Sequence, residues 1–313
     1  NLSGADLTGA DLTGVSGSIT GTPTLPNDYS IINNYIVGPN VDLTGADLTG
    51  ADLNGIDLSG ADLTGAVLTG VSGSVTGTPA SMPANYSIIA GSSDSYIVGP
   101  DVDLTGADLI GADLTGIDLT NANLTDVTSG SVTGAPTLPT GYGIINDYIV
   151  GPNVDLTGAD LTGADLTGID LTGVTLTGVS GSVTGAPTLP TGYSIINNYI
   201  VGPNVDLTGA DLVGADLTNA VLKYSNLDGA DLTGATLTGV ISGSVTGNPT
   251  LPADYALING SDGKYIVGPG VNLTGAVLGS MLIYNPAGNS GLGEFFADSD
   301  LSSVYVEVNG GTF

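Results

Sequence analysis

Carboxylates are the side chains in this 313-residue chain whose number and spacing could do chemistry. Asp recurs at every fifth residue over long stretches, for example at Asp47, Asp52, Asp57 and Asp62. Carboxylate oxygens are ligands that Ca²⁺ and Mg²⁺ prefer. Two carboxyl groups can also act as a general acid and a general base when their surroundings separate their pKa values. The spacing therefore raises two hypotheses, cation binding and acid–base catalysis.

The rest of the composition argues against catalysis. The chain has no His and no Cys, and its only basic side chains are Lys223 and Lys264. Nucleophiles and general bases usually draw on those residue types. Asp repeated over an open surface also lacks the enclosed pocket that sets one carboxyl group apart from another. We predict that the protein is not an enzyme and needs no cofactor.

Cation binding is expected to be weak and diffuse. Equivalent Asp residues on stacked strands would lie about 4.8 Å apart, so their charges would repel and counterions would gather. No calcium-loop motif is present. We therefore predict no defined metal site, only weak association of Ca²⁺ or Mg²⁺ along Asp47, Asp52, Asp57 and Asp62. A solvated acidic face that salt screens is the simpler alternative.

The charge balance excludes several partners. The net charge is −29, whereas nucleic-acid binding needs Lys or Arg to displace counterions from phosphates, and docking on anionic lipid needs basic residues too. No apolar run approaches the ~20 residues of a membrane span. We predict no nucleic-acid partner and no membrane contact. The periodic apolar residues argue against disorder.

The element that must position the carboxylates is the phrase Ala-Asp-Leu-Thr-Gly. Its Ala and Leu are two residues apart, which is the strand period, so both can face one interior. Gly ends each phrase, where the chain must turn, and its recurrence every five residues argues against a helix. We predict stacked short strands with Leu161 and Leu166, among others, inside.

Inserts interrupt the phrase along residues 1–283. They lie at 15–41, 71–102, 127–154, 179–205 and 240–271. Each holds three Pro, for example Pro23, Pro26 and Pro39, and the blocks between them hold none. That contrast is expected if the block N–H groups form a ladder, because Pro cannot donate.

A hairpin is predicted in every insert. In the first insert, two strand-like segments, Tyr29–Ile32 and Tyr35–Val37, flank Asn33 and Asn34, and Asn tolerates the positive φ of a two-residue turn. The near-identical wording of the inserts predicts a regular row of hairpins. It also predicts equivalent, partly buried positions for one Tyr per insert: Tyr29, Tyr86, Tyr142, Tyr193 and Tyr255.

The repeated phrase resembles the A-(D/N)-L-x-x signature of the pentapeptide-repeat family. The resemblance implies an all-β fold: a right-handed, four-sided parallel β-helix solenoid with one phrase per side and Leu and Ala inside. The five hairpin-bearing inserts depart from the continuous helix of that family. Some members are acidic rods that mimic DNA, so the resemblance also implies, as an alternative function, an inhibitor of a type II topoisomerase.

The function favoured by the sequence is structural. We expect an extracellular or cell-surface rod whose copies assemble head to tail into a filament through the ends of the β-helix. Residues 284–313 would form a C-terminal cap or an assembly strand. The residues expected at the contact are Asn1, Leu2, Phe295, Phe296, Val304, Tyr305, Val306, Val308 and Phe313. A module that binds polysaccharide or ice through rows of Thr and Tyr is a further alternative.

Overall fold

The structure, a computed structural model, describes residues 1–260 and 262–276. It divides into two compact units, Asn1–Asp155 and Leu156–Phe313. All regular elements in the described residues are β-strands. No helix in this part of the chain could cross a lipid bilayer. The predicted cap or assembly strand at 284–313 lies outside the described residues.

The strands are short and form small sheets. The first unit contains β1 (Ser30–Ile32), β2 (Tyr35–Val37), β3 (Ile56–Asp57), β4 (Ser74–Thr76), β5 (Ser87–Ala90), β6 (Ser95–Val98), β7 (Gly143–Ile145) and β8 (Tyr148–Val150). The second contains β9 (Ala164–Asp165), β10 (Val183–Thr184), β11 (Ser194–Ile196), β12 (Tyr199–Val201), β13 (Ala256–Gly260) and β14 (Gly263–Val267). The largest sheet in the described residues has four strands in the order β3-β4-β6-β5.

Parallel pairing at a constant step connects the blocks. Asp42 pairs with Asp62, Asp47 with Val67, and Asp52 with Ser72. The partners are 20 residues apart, so four phrases separate one residue from its ladder partner. We call a segment of four consecutive phrases a coil. We call a line of ladder partners on successive coils a column. Most of these contacts are isolated bridges rather than strands, because a turn at every Gly leaves only two or three extended residues per phrase.

The apolar positions of the phrase fill the interior, as predicted. Leu161 and Leu166 are 0% exposed, and Ala159 and Ala164 are 0% and 2% exposed. The backbone pairing places Leu of one coil beside Leu of the next. Fully burying a Leu side chain contributes about 1.5–3 kcal/mol, so the repeated phrase is itself the source of the stability.

Each insert is an expanded coil. Its first residues stay in the ladder: Thr24 pairs with Asp6, and β4 pairs with β3. The hairpin follows, and the next block then resumes the column that the previous block left, since Ser16 pairs with Asp42. The ladder therefore passes through the inserts, and only the hairpin leaves it.

The hairpins form as predicted and dock on the ladder. β1 pairs antiparallel with β2 around Asn33 and Asn34, whose φ angles are 48° and 67°. The Ile19 N–H donates to the Asn34 carbonyl oxygen, at 2.6 Å. The Asn33 side chain donates to the Asp47 and Thr49 carbonyl oxygens, at 3.4 and 2.9 Å. The hairpin thus bridges the coil before it and the coil after it.

The prediction of one row of hairpins is wrong. In the first unit, the first hairpin docks on Ile19, which follows Ser16 in the column of Asp42 and Asp62. The second hairpin docks on β4, which pairs with β3, one phrase before Asp62. The first two hairpins therefore start from different columns. The physical reason is the ladder step: a hairpin returns to the same column only if a multiple of four phrases separates it from the last one.

The second unit also places its two hairpins on different columns. The Asp206 N–H donates to the Val179 carbonyl oxygen. Asp206 pairs with Asn226, and Asn226 pairs with Thr246. Because the neighbouring Val245 pairs with Lys264 of β14, the fifth hairpin docks on this column. The fourth hairpin docks on β10, which lies one phrase after Val179. Neither unit therefore arranges its hairpins in a row.

A repeated contact between Tyr and Gly ties each hairpin down. In the fourth insert the Tyr193 hydroxyl donates to the Pro203 carbonyl oxygen at 3.0 Å, and its ring lies against Gly202. The other four inserts repeat this contact at 2.8–3.1 Å through Tyr29, Tyr86, Tyr142 and Tyr255. The five Tyr are therefore equivalent and partly buried, as predicted. Burial raises the pKa of the Tyr193 hydroxyl.

Candidate functional site

The outer surface is a lattice of Asp–Thr turns. In one phrase, Asp165 Oδ1 accepts the Thr167 N–H at 3.0 Å and the Thr167 hydroxyl at 2.6 Å. Asp170 and Thr172 repeat this geometry at 2.8 and 2.5 Å. Short Asp side chains favour such bonds to the backbone two residues on. The turn thus favours a short side chain with an acceptor oxygen at the Asp position.

These hydrogen bonds stabilise the charged form of the carboxylates. The Thr167 hydroxyl, and then its N–H, lowers the pKa of Asp165 below its ordinary value. Thr172 lowers the pKa of Asp170 in the same way. Bonds that favour the ionised form have this effect in general. The lattice therefore stays anionic at a lower pH than isolated Asp would.

A loss of stability in acid follows from these shifts. The Asp–Thr hydrogen bonds lower the pKa of these carboxyl groups in the folded protein. Their contribution to the free energy of unfolding is therefore complete above the unfolded pKa and is lost as the pH falls through the folded pKa. We expect the urea midpoint of the protein to fall between pH 5 and about pH 3. The double variant Asp165→Asn, Asp170→Asn should keep its fold and lose less of its midpoint over this range.

The chain contains its own precedent for that variant. Asn123 accepts the Thr125 N–H and hydroxyl at 3.1 and 2.8 Å, so a neutral amide supports the same turn. Asp254→Asn is the matched control, since Asp254 is an exposed carboxylate without this turn. An equal effect of both changes on the pH dependence would contradict the assignment to the turns.

The lattice presents acceptors rather than donors. Thr hydroxyls such as those of Thr49, Thr105 and Thr218 donate to the Asp two residues before them, at 2.5–2.6 Å. In each insert, the Tyr whose ring contacts Gly donates its hydroxyl to a Pro carbonyl oxygen. The hydroxyl protons of these Thr and Tyr residues are therefore engaged within the chain.

The four Asp proposed for cation association lie on consecutive phrases and do not pair with one another. Asp47 pairs with Val67, Asp52 with Ser72, and Asp57 with Thr76. Asp62 pairs with Asp42 on one side and Ser81 on the other. The expected stacking of equivalent Asp residues is wrong for most of the ladder, because Val, Asn, Ser or Thr usually occupies the neighbouring coil.

No defined cation site emerges from this placement. The described residues contain no group of three or more carboxylates that could hold a metal ion. Weak, diffuse association of Ca²⁺ or Mg²⁺ stays a prediction. The acidic pairs that do face each other, such as Asp42 with Asp62 and Asp211 with Asp231, are the places where it would begin.

A shallow cavity of about 210 Å³ lies where the second hairpin meets the block that follows it. Asn54, Ser74, Asp94, Tyr96 and Asp103 are among the residues that line it. Ligand pockets are usually about 300–1,000 Å³ and mostly apolar. The cavity contains no nucleophile paired with a base, so it offers no evident chemistry.

The proposed assembly residues are described only at the N-terminal end. Asn1 Oδ1 accepts the Ser3 N–H at 3.0 Å, as Asp does in other phrases. The half-buried Leu2 donates its N–H to the Thr20 carbonyl oxygen at 2.7 Å. The others lie outside the described residues: Phe295, Phe296, Val304, Tyr305, Val306, Val308 and Phe313.

Two features escaped the sequence reasoning. The glycine of each Val-Gly-Pro segment contacts the Tyr ring, and the recurrence of that segment in every insert was the signal for it. Tyr224, at a corner where other phrases carry Gly, adopts a φ of 62° and is 60% exposed. A large side chain in a turn position was the corresponding signal in the sequence.

The blocks that build the ladder match a known family model. The model, described as pentapeptide repeats, matches eight copies within residues 1–16, 40–72, 101–128, 152–179 and 204–239. These blocks belong to the pentapeptide-repeat family. The matched segments coincide with the coils, and the hairpins fall between them. No curated protein matches the chain.

Solved structures of other proteins are similar to the chain, and one of them is described as a pentapeptide repeat protein. HetL from the cyanobacterium Nostoc, a protein involved in heterocyst differentiation regulation, is 27% identical. The match covers 64% of this chain and 86% of HetL, with a TM-score of 0.23. QnrB1, a plasmid-mediated fluoroquinolone resistance protein, is 15% identical over 65% of this chain and 78% of its own, with a TM-score of 0.15.

Proposed function

We propose that the protein is a non-catalytic structural element at the cell surface or outside the cell, and that its repeats form a right-handed, four-sided β-helix. The observation that carries this proposal is the coil-to-coil ladder, in which block after block repeats the same donors and acceptors. In the described residues no buried polar side-chain atom lacks a hydrogen-bond partner. The acidic lattice would keep such a body soluble in salty water.

Assembly with further copies is the second part of the proposal. A coil at an open end offers the backbone pattern that the next coil would use, so a second copy can continue the ladder. A head-to-tail contact propagates as a filament unless its rotation closes a ring. The contact would use Asn1 and Leu2 at one end and the aromatic and β-branched residues of 295–313 at the other.

Electron microscopy and light scattering of the full chain test this function. At about 0.5 M NaCl, where charge repulsion is screened over a few ångströms, we expect filaments. A variant that lacks residues 300–313 should give single particles with the same circular dichroism spectrum. Full-length protein that stays monomeric at high concentration, or a shortened variant that still polymerises, would refute the head-to-tail contact.

Two alternative functions receive less support. Binding of polysaccharide or ice through rows of Thr and Tyr would draw on their hydroxyl donors, whereas the Thr and Tyr protons noted above are engaged within the chain. A DNA mimic that inhibits a type II topoisomerase would need a smooth acidic face, and the hairpins that rise from different columns interrupt such a face. A topoisomerase supercoiling assay with the purified chain tests the second alternative directly.

A further inference from the structure

Two Asn-Gly sequences lie in the described residues, in different settings. Asn54-Gly55 belongs to a block of the first unit, and Asn259-Gly260 ends β13 in the fifth hairpin. Asn before Gly is prone to deamidation, because Gly has no side chain to hinder the attack of its amide nitrogen on the Asn side chain. Both Asn side chains are exposed. Exposure therefore does not distinguish the two sites, and the backbone around them must.

Deamidation requires backbone freedom at the bond between Asn and Gly. The Gly amide nitrogen must approach Cγ of the Asn side chain, and a backbone fixed by ladder hydrogen bonds prevents that approach. A fixed site reacts only when its segment opens. The free energy of opening differs widely within one protein, from near zero at fraying ends to the global free energy of unfolding in the core. The rate of deamidation therefore reports how easily each segment opens.

The ladder holds both residues of Asn54-Gly55. The Gly55 N–H, whose nitrogen would attack, donates to the Ser74 carbonyl oxygen at 2.7 Å. Asn54 Oδ1 accepts the Ser74 N–H and hydroxyl, at 3.4 and 3.0 Å. Ser74 belongs to β4, which pairs with β3 on one side and with β6 on the other. Opening at Asn54 therefore requires two coils to separate.

Asn259-Gly260 lies where the pairing of the fifth hairpin ends. Asn259 pairs with Lys264, and Gly260 pairs with Gly263 as the last pair before the turn. The β14 side of the turn is anchored to the start of the insert, since Lys264 Nζ donates to the Gly247 carbonyl oxygen at 2.8 Å. Only the last pairs of the hairpin need to open for the Gly260 nitrogen to reach the Asn259 side chain, and β14 can stay docked meanwhile.

We propose that Asn259 is a site of spontaneous deamidation in the folded protein, and that the ladder protects Asn54. The Gly260 amide nitrogen forms a bond to Cγ of Asn259, the Cγ–Nδ2 bond breaks, and the side-chain amide group leaves as ammonia with the proton of the Gly260 nitrogen. Water then opens the resulting succinimide ring at either carbonyl carbon and gives an aspartyl or an isoaspartyl residue. The reaction consumes only water, and it does not depend on the proposed assembly.

Both products change the end of the fifth hairpin. A carboxylate at position 259 would lie across from Lys264, one of the two basic residues of the chain, and opposite charges on paired strands attract. The isoaspartyl product adds a carbon atom to the main chain of β13, so Gly260 loses its register with Gly263. The fifth hairpin would therefore differ covalently between new and aged protein.

Trypsin separates the Asn-Gly sites of the chain, because Lys223 and Lys264 are its only basic residues. Cleavage gives peptides 1–223, 224–264 and 265–313, and each contains one Asn-Gly sequence. The folded full chain is incubated for days in mildly alkaline buffer, then unfolded and digested, and mass spectrometry with fragmentation assigns each converted residue. We expect Asn259 to be converted at least about tenfold faster than Asn54.

Two comparisons attribute the difference to the fold. Asn259→Gln should remove the conversion in 224–264, since Gln must form a larger ring and reacts far more slowly. In urea the rates at Asn54 and Asn259 should converge, because the ladder no longer holds Asn54. The proposal is overturned if Asn54 reacts as fast as Asn259 in the folded protein, or if Asn259 reacts only in urea. It is equally overturned if the two rates differ as much in urea as in the folded protein.

Discussion

Leu212→Asp should prevent the second unit from folding, whereas Val213→Asp, one residue later, should leave it folded. Leu212 is 0% exposed and Val213 is 50% exposed, so the same carboxylate enters the interior in one variant and water in the other. An unpaired buried charge costs at least about 3–5 kcal/mol, against a total stability of about 5–15 kcal/mol for an ordinary domain.

Far-UV circular dichroism and urea denaturation measure the difference. Leu212→Asp should lose much of its β signal at neutral pH or unfold at a much lower urea concentration. Val213→Asp should match the unchanged protein within about 0.5 kcal/mol, as surface changes usually do. If both variants unfolded at the same urea concentration, Leu212 would not line an interior.

Gly151→Ala should displace the third hairpin, whereas Gly143→Ala in the same hairpin should be tolerated. A Cβ added to Gly151 would lie 2.3 Å from Cδ1 of Tyr142, while one added to Gly143 meets no atom within 4 Å. Three other inserts carry Ser at the position of Gly143, and the fifth carries Ala256. Forcing extra volume against the ring should destabilise the protein by about 1–3 kcal/mol.

Tyr142→Ala gives a second way to examine this contact. Removing the ring makes room for the added methyl group, so Gly151→Ala should cost less in the Tyr142→Ala background than alone. Urea midpoints of the four proteins supply the comparison. Additive effects of the two changes would mean that Gly151 and Tyr142 are not coupled as the structure places them.

The interior and the hairpins were predictable from the sequence because their causes are local. A five-residue period with Leu and Ala two residues apart has few ways to bury its apolar side chains, and Leu161 is buried as that pattern requires. Asn33 and Asn34 between two β-rich segments specify a turn with positive φ at both positions. In both cases one short segment carries the whole signal.

Features that depend on distant residues were not predictable. The partner of Asp52 is Ser72, from an insert, because the first part of each insert stays in the ladder. The column of each hairpin depends on how many phrases precede it. The contact of Gly202 with Tyr193 joins two ends of a hairpin. None of these follows from the phrase or the insert read separately.

The four-phrase step of the ladder has a consequence for how such a gene could change. Within a unit, an in-frame duplication of one phrase would lengthen the ladder and move every later hairpin of that unit to the next column. The interior would be preserved, since the new Leu would take an ordinary interior position. The number of phrases would then set the direction in which a hairpin points. Natural variants that differ by whole phrases would present the same hairpins in different directions.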